Sequence, residues 1–421
     1  WLMEYAILGI VAGIIFGIIP GAGPFLAIAT LYPFLATFDA ISIFIFYVSL
    51  LITTNYTNSV TGILYGIPGD AAAVTTARYG HKMFLEGKGH LAVSSNAISS
   101  TIGSIFAIIV FLVSLPFIFQ LFKFYNSTIQ LVVISIAIIF LTLVTKQAYW
   151  KTILLFIVGG ILAKIGYDNL TKDMWGTFGF TYLTLGIPFS SIMIGLYIVP
   201  ELLKFLDKDF TGKNKITKFG YDPSTWKATA TGSFVGFWCG LVPGITNVLG
   251  SYLSSNFMKK DVDKIAAAEA ANNSGALSSL LPLIILGIPI VGSEVLIYYL
   301  VVTRGFTFDL ENVYLLQDVL YYIPLVLIIC LTLSWLYFNQ LGYIADVYKK
   351  YKYYFIIGIF LFISLMSIYI YPIKFWIALC LICTTIVGYL IRRWETFPVL
   401  YGFFLTDLFY NNLIRVIAIY T

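Results

Sequence analysis

A chain of 421 residues that is 60% hydrophobic and only 11% charged, with a mean hydropathy of +0.92, falls outside the soluble globular class, where about a quarter of the residues carry charge. Its formal charge of +5 is too small to argue for nucleic acid and reads as basic loops beside a lipid bilayer. The two histidines exclude a histidine-rich metal site, and the four cysteines all lie in apolar runs, so Cys380-x-x-Cys383 reads as small buried residues in a helix.

Apolar runs of about 20 residues, each long enough to cross about 30 Å of hydrocarbon, recur throughout and predict roughly 10 to 14 membrane segments. The first is a helix interrupted in its middle, Gly13-Ile-Ile-Phe-Gly17-Ile-Ile-Pro20-Gly21-Ala22-Gly23-Pro24. Proline removes a backbone donor and glycine favours non-helical dihedrals, so the helix breaks there. A polar stretch follows, Asn55-Tyr-Thr-Asn58-Ser59, and then a second break, Gly66-Ile-Pro68-Gly69-Asp70, with Thr75 and Thr76 after it. His81 and His90 are expected in a polar loop. Four long spans, about 98–122, 128–145, 150–166 and 182–205, complete this half.

The chain then repeats itself. Gly9, Gly13, Gly17, Pro20 and Gly21 reappear as Gly232, Gly236, Gly240, Pro243 and Gly244, at one offset of 223 (232 minus 9). Gly66-Ile-Pro68 recurs as Gly287-Ile-Pro289, at an offset of 221, and Asn272-Asn273-Ser274 stands upstream of it. Spans at about 314–340, 353–371, 373–391 and 396–420 follow. The reading is an all-α polytopic membrane protein of two structural repeats, 1–205 and 226–421, joined by a linker at 206–225.

Lysines cluster in and around the linker (Lys204, Lys208, Lys213, Lys215, Lys218, Lys227), which places it in the cytoplasm. Lys146 and Lys151 share that side, as do Lys349, Lys350, Lys352, Arg392 and Arg393. These loops follow even-numbered long spans in the first half and odd-numbered ones in the second, so the repeats are expected to be inverted. Lys123, Lys164 and Lys172 fall on the opposite side.

Paired breaks in two inverted halves point to a transport site near the midplane. Freed N–H groups at half-helix N-termini suit a carboxylate, and exposed carbonyls suit Na⁺. The candidate substrate residues are Gly21, Ala22, Gly23, Asn55, Asn58, Ser59, Pro68, Gly69 and Thr75 in one half, and Gly244, Ile245, Thr246, Asn247, Asn272 and Asn273 in the other. Thr57, Thr61, Thr76 and Ser274 extend this polar lining. Asp70 and Glu269 are candidates for coupling to Na⁺ or a proton. Arg78 and Arg304 are weaker anion partners, expected at loops or interfaces. No catalytic residue, cofactor or resident metal is expected.

Gly17-Ile-Ile-Pro-Gly-Ala-Gly-Pro24, Gly66-Ile-Pro-Gly69, Leu241-Val-Pro-Gly244 and Glu269-Ala-Ala-Asn-Asn273 with Leu286-Gly-Ile-Pro289 resemble the large membrane subunit of tripartite tricarboxylate transporters, the TctA family. Phe178-Gly, Leu185-Gly-Ile-Pro-Phe189, Ile194-Gly-Leu-Tyr197 with Glu201, and Gly388 to Arg393 with Phe397-Pro398 agree with it. The resemblance implies secondary transport of small di- or tricarboxylates, driven by Na⁺ or H⁺ through elevator-like alternating access. It also implies a small membrane subunit and a periplasmic binding protein, in the inner membrane of a prokaryote, with a homodimer as a candidate assembly. The chain departs from the family at Tyr79-Gly-His-Lys-Met83, at Ile245-Thr246 and at Ile290, which leaves a stand-alone transporter open. An anion channel and an intramembrane aspartyl protease built on Asp70 and Asp168 are the competing readings.

Overall fold

A computed structural model describes residues 2–18, 23–66, 68, 70, 72–122, 147–167, 174–200, 222–241, 246–308, 310–336 and 372–420, with scattered positions at 128–139, 203 and 350–369. The described residues are mostly helical. In chain order the helices are α1 (Leu2–Ile18), α2 (Pro24–Leu35), α3 (Ala40–Tyr65), α4 (Val74–Leu85) and α5 (Gly89–Phe122). Next come α6 (Tyr149–Lys164), α7 (Phe189–Ile192), α8 (Trp226–Gly240), α9 (Thr246–Asn256) and α10 (Asp261–Ser278). The last are α11 (Leu280–Leu286), α12 (Gly292–Thr303), α13 (Leu310–Leu336), α14 (Lys374–Leu390) and α15 (Phe397–Tyr420). A two-residue antiparallel ladder pairs Gly166–Tyr167 with Met174–Trp175. Among the described residues three helices are long and apolar enough to cross a membrane, at Ala40–Leu64, Gly89–Ser114 and Asp318–Trp335.

Two expectations change. His81 lies in α4 and His90 in the first turn of α5, so the predicted polar loop is helical. The span at 182–205 is broken into a 3-10 turn at Thr181–Leu185, α7, and a π-helical turn at Met193–Ile198. Gly186 causes the first interruption: its φ of 73° with ψ of 177° closes the 3-10 turn in a conformation open to glycine. Most of 128–145 and all of 206–221 lie outside the described residues, whereas the described positions of 353–371 are helical.

The residues divide into two units, each drawing on both halves of the chain. The first contains Trp1–Ile28, Phe38–Lys123 and Asp209–Lys352; the second contains Ala29–Thr37, Phe124–Lys208 and Tyr353–Thr421.

In the first unit α3 and α10 are the innermost helices. Ile43 to Leu64 and Ile265 to Ser278 are buried around the full circumference. Hydroxyls there turn back on their own helix, Thr53 donating to Ser49 O (2.8 Å) and Thr61 to Thr57 O (3.0 Å), which satisfies them without breaking the ladder.

α1 packs on α3, and α8 on α10, through the glycine columns. A Cβ on Gly9, Gly13 or Gly17 would meet the carbonyl oxygens of Phe46, Leu50 and Thr54; on Gly232, Gly236 or Gly240 it would meet those of Ala267, Ala271 and Gly275. The outer-helix positions differ by 223 and the inner-helix positions by 221 (267 minus 46). Thr57 donates to Gly13 O (3.1 Å), and its counterpart Ser278 donates to Phe237 O (2.8 Å), one residue further along. The glycine-to-carbonyl contacts of the two hairpins therefore repeat one for one. Small residues allow this close approach, and dispersion with interhelical hydrogen bonds holds it where lipid removes the hydrophobic drive.

The second unit shows a matching exchange. Gly159 of α6 abuts Val399 O of α15, and Gly402 of α15 abuts Phe156 O of α6. Gly195 abuts Thr384 of α14, and Gly388 of α14 abuts Gly195 O. A helix from one half thus crosses a helix from the other, twice, on glycine. Trp376 Nε1 donates to Gly186 O (2.9 Å), which anchors the start of α14.

Candidate functional site

The site residues collect in the first unit, where α3 and its counterpart α11 both end at Gly-Ile-Pro. Gly66 and Gly287 adopt left-handed φ of 68° and 63°. Their N–H groups close on Gly62 O and Leu283 O, each at 2.9 Å. Glycine is required there because a Cβ is strained at that φ. Proline two residues later cannot continue the helix.

A carboxylate then starts the next helix in each half. Asp70 Oδ1 accepts from Ala73 N (2.9 Å) ahead of α4. Glu294 Oε2 accepts from Ile290 N (2.8 Å) and Val291 N (3.2 Å), and its Oε1 accepts from Ser279 Oγ (2.6 Å). Such carboxylates satisfy free N–H groups and favour the positive end of the helix dipole.

The two turns differ in what faces the carboxylate. Ser279 corresponds to Asn58 at the 221 offset. Ser279 completes its bond to Glu294, and both are buried. The Asn58 amide faces Asp70 without completing a hydrogen bond of good geometry. Asn58 and Asn55 are 0% and 1% exposed, and neither side chain has a partner for its nitrogen or its oxygen. Buried amides without partners each cost about 1–3 kcal/mol, which sets these two apart from the self-satisfied hydroxyls of α3. The first break lies beside them, since a Cβ on Gly23 would sit 3.0 Å from Asp70 Cβ.

Glu269, on α10, reaches the same region from the second half of the chain. Its Oε1 accepts from Ser59 Oγ of α3 (2.6 Å) and from Thr76 Oγ1 of α4; its Oε2 lies 3.3 Å from Ser100 Oγ of α5. One fully buried carboxyl therefore ties four helices together.

The remaining candidates are dispersed. Asn273 Nδ2 turns back to Glu269 O (3.1 Å), leaving its Oδ1 without a partner. Asn247 Nδ2 donates to Asn272 Oδ1 (2.6 Å), bridging α9 and α10. Thr75 is buried and Pro68 half-buried. Thr246 opens α9, though nothing of its side chain is described. Gly21, Ala22, Gly69, Gly244 and Ile245 lie outside the described residues, as does Asp168. Arg78 and Arg304 are exposed, as expected of interface positions.

Sequence reasoning missed Glu294, Ser100 and Asn96. Asn96 with Ser100 has the i, i+4 spacing that shares one helix face, a signal that was available. Glu294 carried none, because Val291 at the cap position has no side-chain oxygen.

Residues 3–400 match the family described as the tripartite tricarboxylate transporter TctA family. The chain belongs to that family. That family's description is of a tricarboxylate transporter component, and the long apolar helices among the described residues fit a membrane protein. Two curated relatives are each 26% identical. One, of Agrobacterium vitis, is an uncharacterised 52.8 kDa protein in the TAR-I ttuC' 3' region, matched over 303 residues that cover 68% of this chain and 60% of the relative. The other, an uncharacterised protein of Methanocaldococcus jannaschii, is matched over 290 residues, 68% of this chain and 69% of that one. The match thus spans less than two thirds of the Agrobacterium protein. No solved structure matches.

Proposed function

We propose that this chain moves small di- or tricarboxylates across the inner membrane of a prokaryote by alternating access of an elevator type, coupled to a Na⁺ or H⁺ gradient. The observation that carries the reading is the pair of buried, unpartnered amides Asn55 and Asn58 on α3, of which Asn58 faces Asp70. Amide N–H groups at a helix break suit a carboxylate oxygen, and Asp70 or Glu269 supplies the charge that a coupling ion offsets. Gly23 lets the substrate approach the backbone, and Gly21, Ala22, Gly69, Gly244, Ile245, Thr246, Asn247, Asn272 and Asn273 complete the proposed lining.

The repetition of the glycine-to-carbonyl contacts in the α1/α3 and α8/α10 hairpins supports two repeats, 1–205 and 226–421, which we take to be inverted about the cytoplasmic linker 206–225. The partners proposed are a small membrane subunit and a periplasmic solute-binding protein, with a homodimer as a candidate assembly. In proteoliposomes, uptake of a radiolabelled di- or tricarboxylate is expected to saturate and to follow an imposed ion gradient. Asn58→Ala and Asn273→Ala should each reduce it strongly. Unchanged uptake in both variants would remove the site assignment, and unsaturable flux indifferent to the gradient would replace the transporter with a channel.

A further inference from the structure

Counting hydrogens around Glu269 shows which form of the carboxyl the protein is built to hold. Each hydroxyl has one hydrogen to give. Ser59 and Thr76 both direct theirs at Oε1, filling its two lone-pair sites. Ser100 Oγ lies 3.3 Å from Oε2 and 3.2 Å from Asn96 Oδ1, and its hydrogen serves only one of them. Asn96 Nδ2 points to Tyr56 O (3.4 Å), which turns Oδ1 toward Ser100. That oxygen has no hydrogen to offer, so it competes with a Glu269 carboxylate for the one Ser100 hydrogen. In the anion that hydrogen goes to Oε2 and Asn96 Oδ1 is left facing a lone pair. Both contacts are hydrogen bonds at once only when Oε2 carries a hydrogen itself. The neutral acid satisfies the whole chain, Oε2–H to Ser100 to Asn96.

The surroundings agree. Glu269 is 0% exposed and lies mid-helix, away from N–H groups and a dipole end of the kind that meet the Glu294 carboxyl. Among the described residues no lysine, arginine or histidine pairs with it. A buried anion without a cation costs several kcal/mol. Asp70, at the turn before α4, is the titratable group whose charge reaches it. The other charged groups on α4 and α10 are engaged elsewhere: Lys82 with Asp261 at 2.7 Å, and Lys264 over the Tyr79 ring at 4.3 Å. His81 Nδ1 is turned to Ile63 O (3.1 Å), and Arg78 and Asp263 lie at the surface and the first turn of α10. From α3 and α5 only neutral side chains meet the carboxyl.

We propose that the coupling ion is a proton and that Glu269 carries it on Oε2, with Ser100 and Asn96 as the relay that selects this oxygen. The proposal rests on the transporter reading above. On release, the Oε2–H bond breaks, its electron pair stays on the carboxylate, and the proton passes to water in the opened site. Ser100 then swings its hydrogen from Asn96 to Oε2, so the anion keeps three donors while it waits for the next proton.

Infrared difference spectra of the purified full chain test the acid directly, with no substrate needed. A carboxylic-acid carbonyl band is expected at neutral pH, lost in Glu269→Gln and shifted in Ser100→Ala. Retention of every acid band in folded Glu269→Gln would overturn the proposal. In proteoliposomes, radiolabelled citrate or succinate uptake should be accompanied by proton entry, and Glu269→Gln should lose both the entry and the response to a pH gradient. Wild-type uptake driven by Na⁺ with no proton entry would also overturn it, while leaving the transporter reading intact. If the acid band behaves as expected but neither acid moves in the wild type, the transporter reading fails and the neutral Glu269 stands.

Discussion

The Gly66-Ile-Pro68 and Gly287-Ile-Pro289 turns share a left-handed glycine, a proline stop and a carboxylate that starts the next helix. They differ in being open or closed. In the second half, Ser279 and two N–H groups saturate Glu294. In the first half, Asn58 stands where Ser279 does and has no partner, while Asp70 is half-buried beside Gly23. Two copies of one backbone device thus differ in their side chains: the second spends its polar groups on holding the turn, and the first leaves an amide without a partner. Symmetry of the backbone does not require symmetry of the hydrogen bonds laid over it.

The largest expected effect would come from opening the closed turn. Glu294→Ala strands two N–H groups and a hydroxyl, and should cost about 3–5 kcal/mol in unfolding of the purified protein. A loss under about 1 kcal/mol would show that the turn does not depend on its carboxylate. Next, Gly13→Leu and Gly236→Leu should each destabilise by about 1–3 kcal/mol, because both force an inner helix away from its partner. Strongly unequal losses would break the equivalence of the two hairpins.

Asn58→Leu and Ser279→Ala sharpen the contrast between the turns. Ser279→Ala should cost about 1 kcal/mol. Asn58→Leu removes a buried amide that lacks a well-formed bond, so stability should not fall and should rise by up to about 1–3 kcal/mol while carboxylate uptake is lost. The smallest effect compares a buried cap with a surface one. Asp222 Oδ1 accepts from Ser224 N (2.9 Å) at the approach to α8, and that bond holds its carboxyl below the usual value of 3.8. Its contribution is present above the unfolded value and is lost as pH falls through the lower folded value. Asp222→Ala should therefore cost about 1 kcal/mol at neutral pH and nothing once acid has protonated the wild type. A pH-independent loss would mean that the cap does not act through its charge.

Much of this arrangement was legible in the chain. Glycine at every fourth position, proline after glycine, and a constant offset are local signals, and each acts through backbone sterics that neighbours do not alter. They located the helix ends at Gly66 and Gly287 and paired the hairpins. Long apolar runs were equally legible, since 374–390 and 397–420 match the spans expected there. The run at 182–205 was not, because Gly186 and the π-turn at 193–198 break a segment that composition alone reads as continuous.

Polar residues were the harder part. Asn55, Asn58, Asn272 and Asn273 stand out equally in sequence, yet Asn272 is bound to Asn247 while Asn55 and Asn58 are left open. Ser100 and Asn96 looked like ordinary helix residues until folding set them against Glu269. The sequence by itself determined the membrane class, the internal repetition and the positions of the breaks, because these follow from hydropathy and backbone sterics. Only the tertiary structure decided which buried carboxyl is capped by N–H groups, which is caged by hydroxyls and which amides lack a partner. Hydrogen-bond satisfaction is a property of groups far apart in the chain, and it exists only once the helices have brought them together.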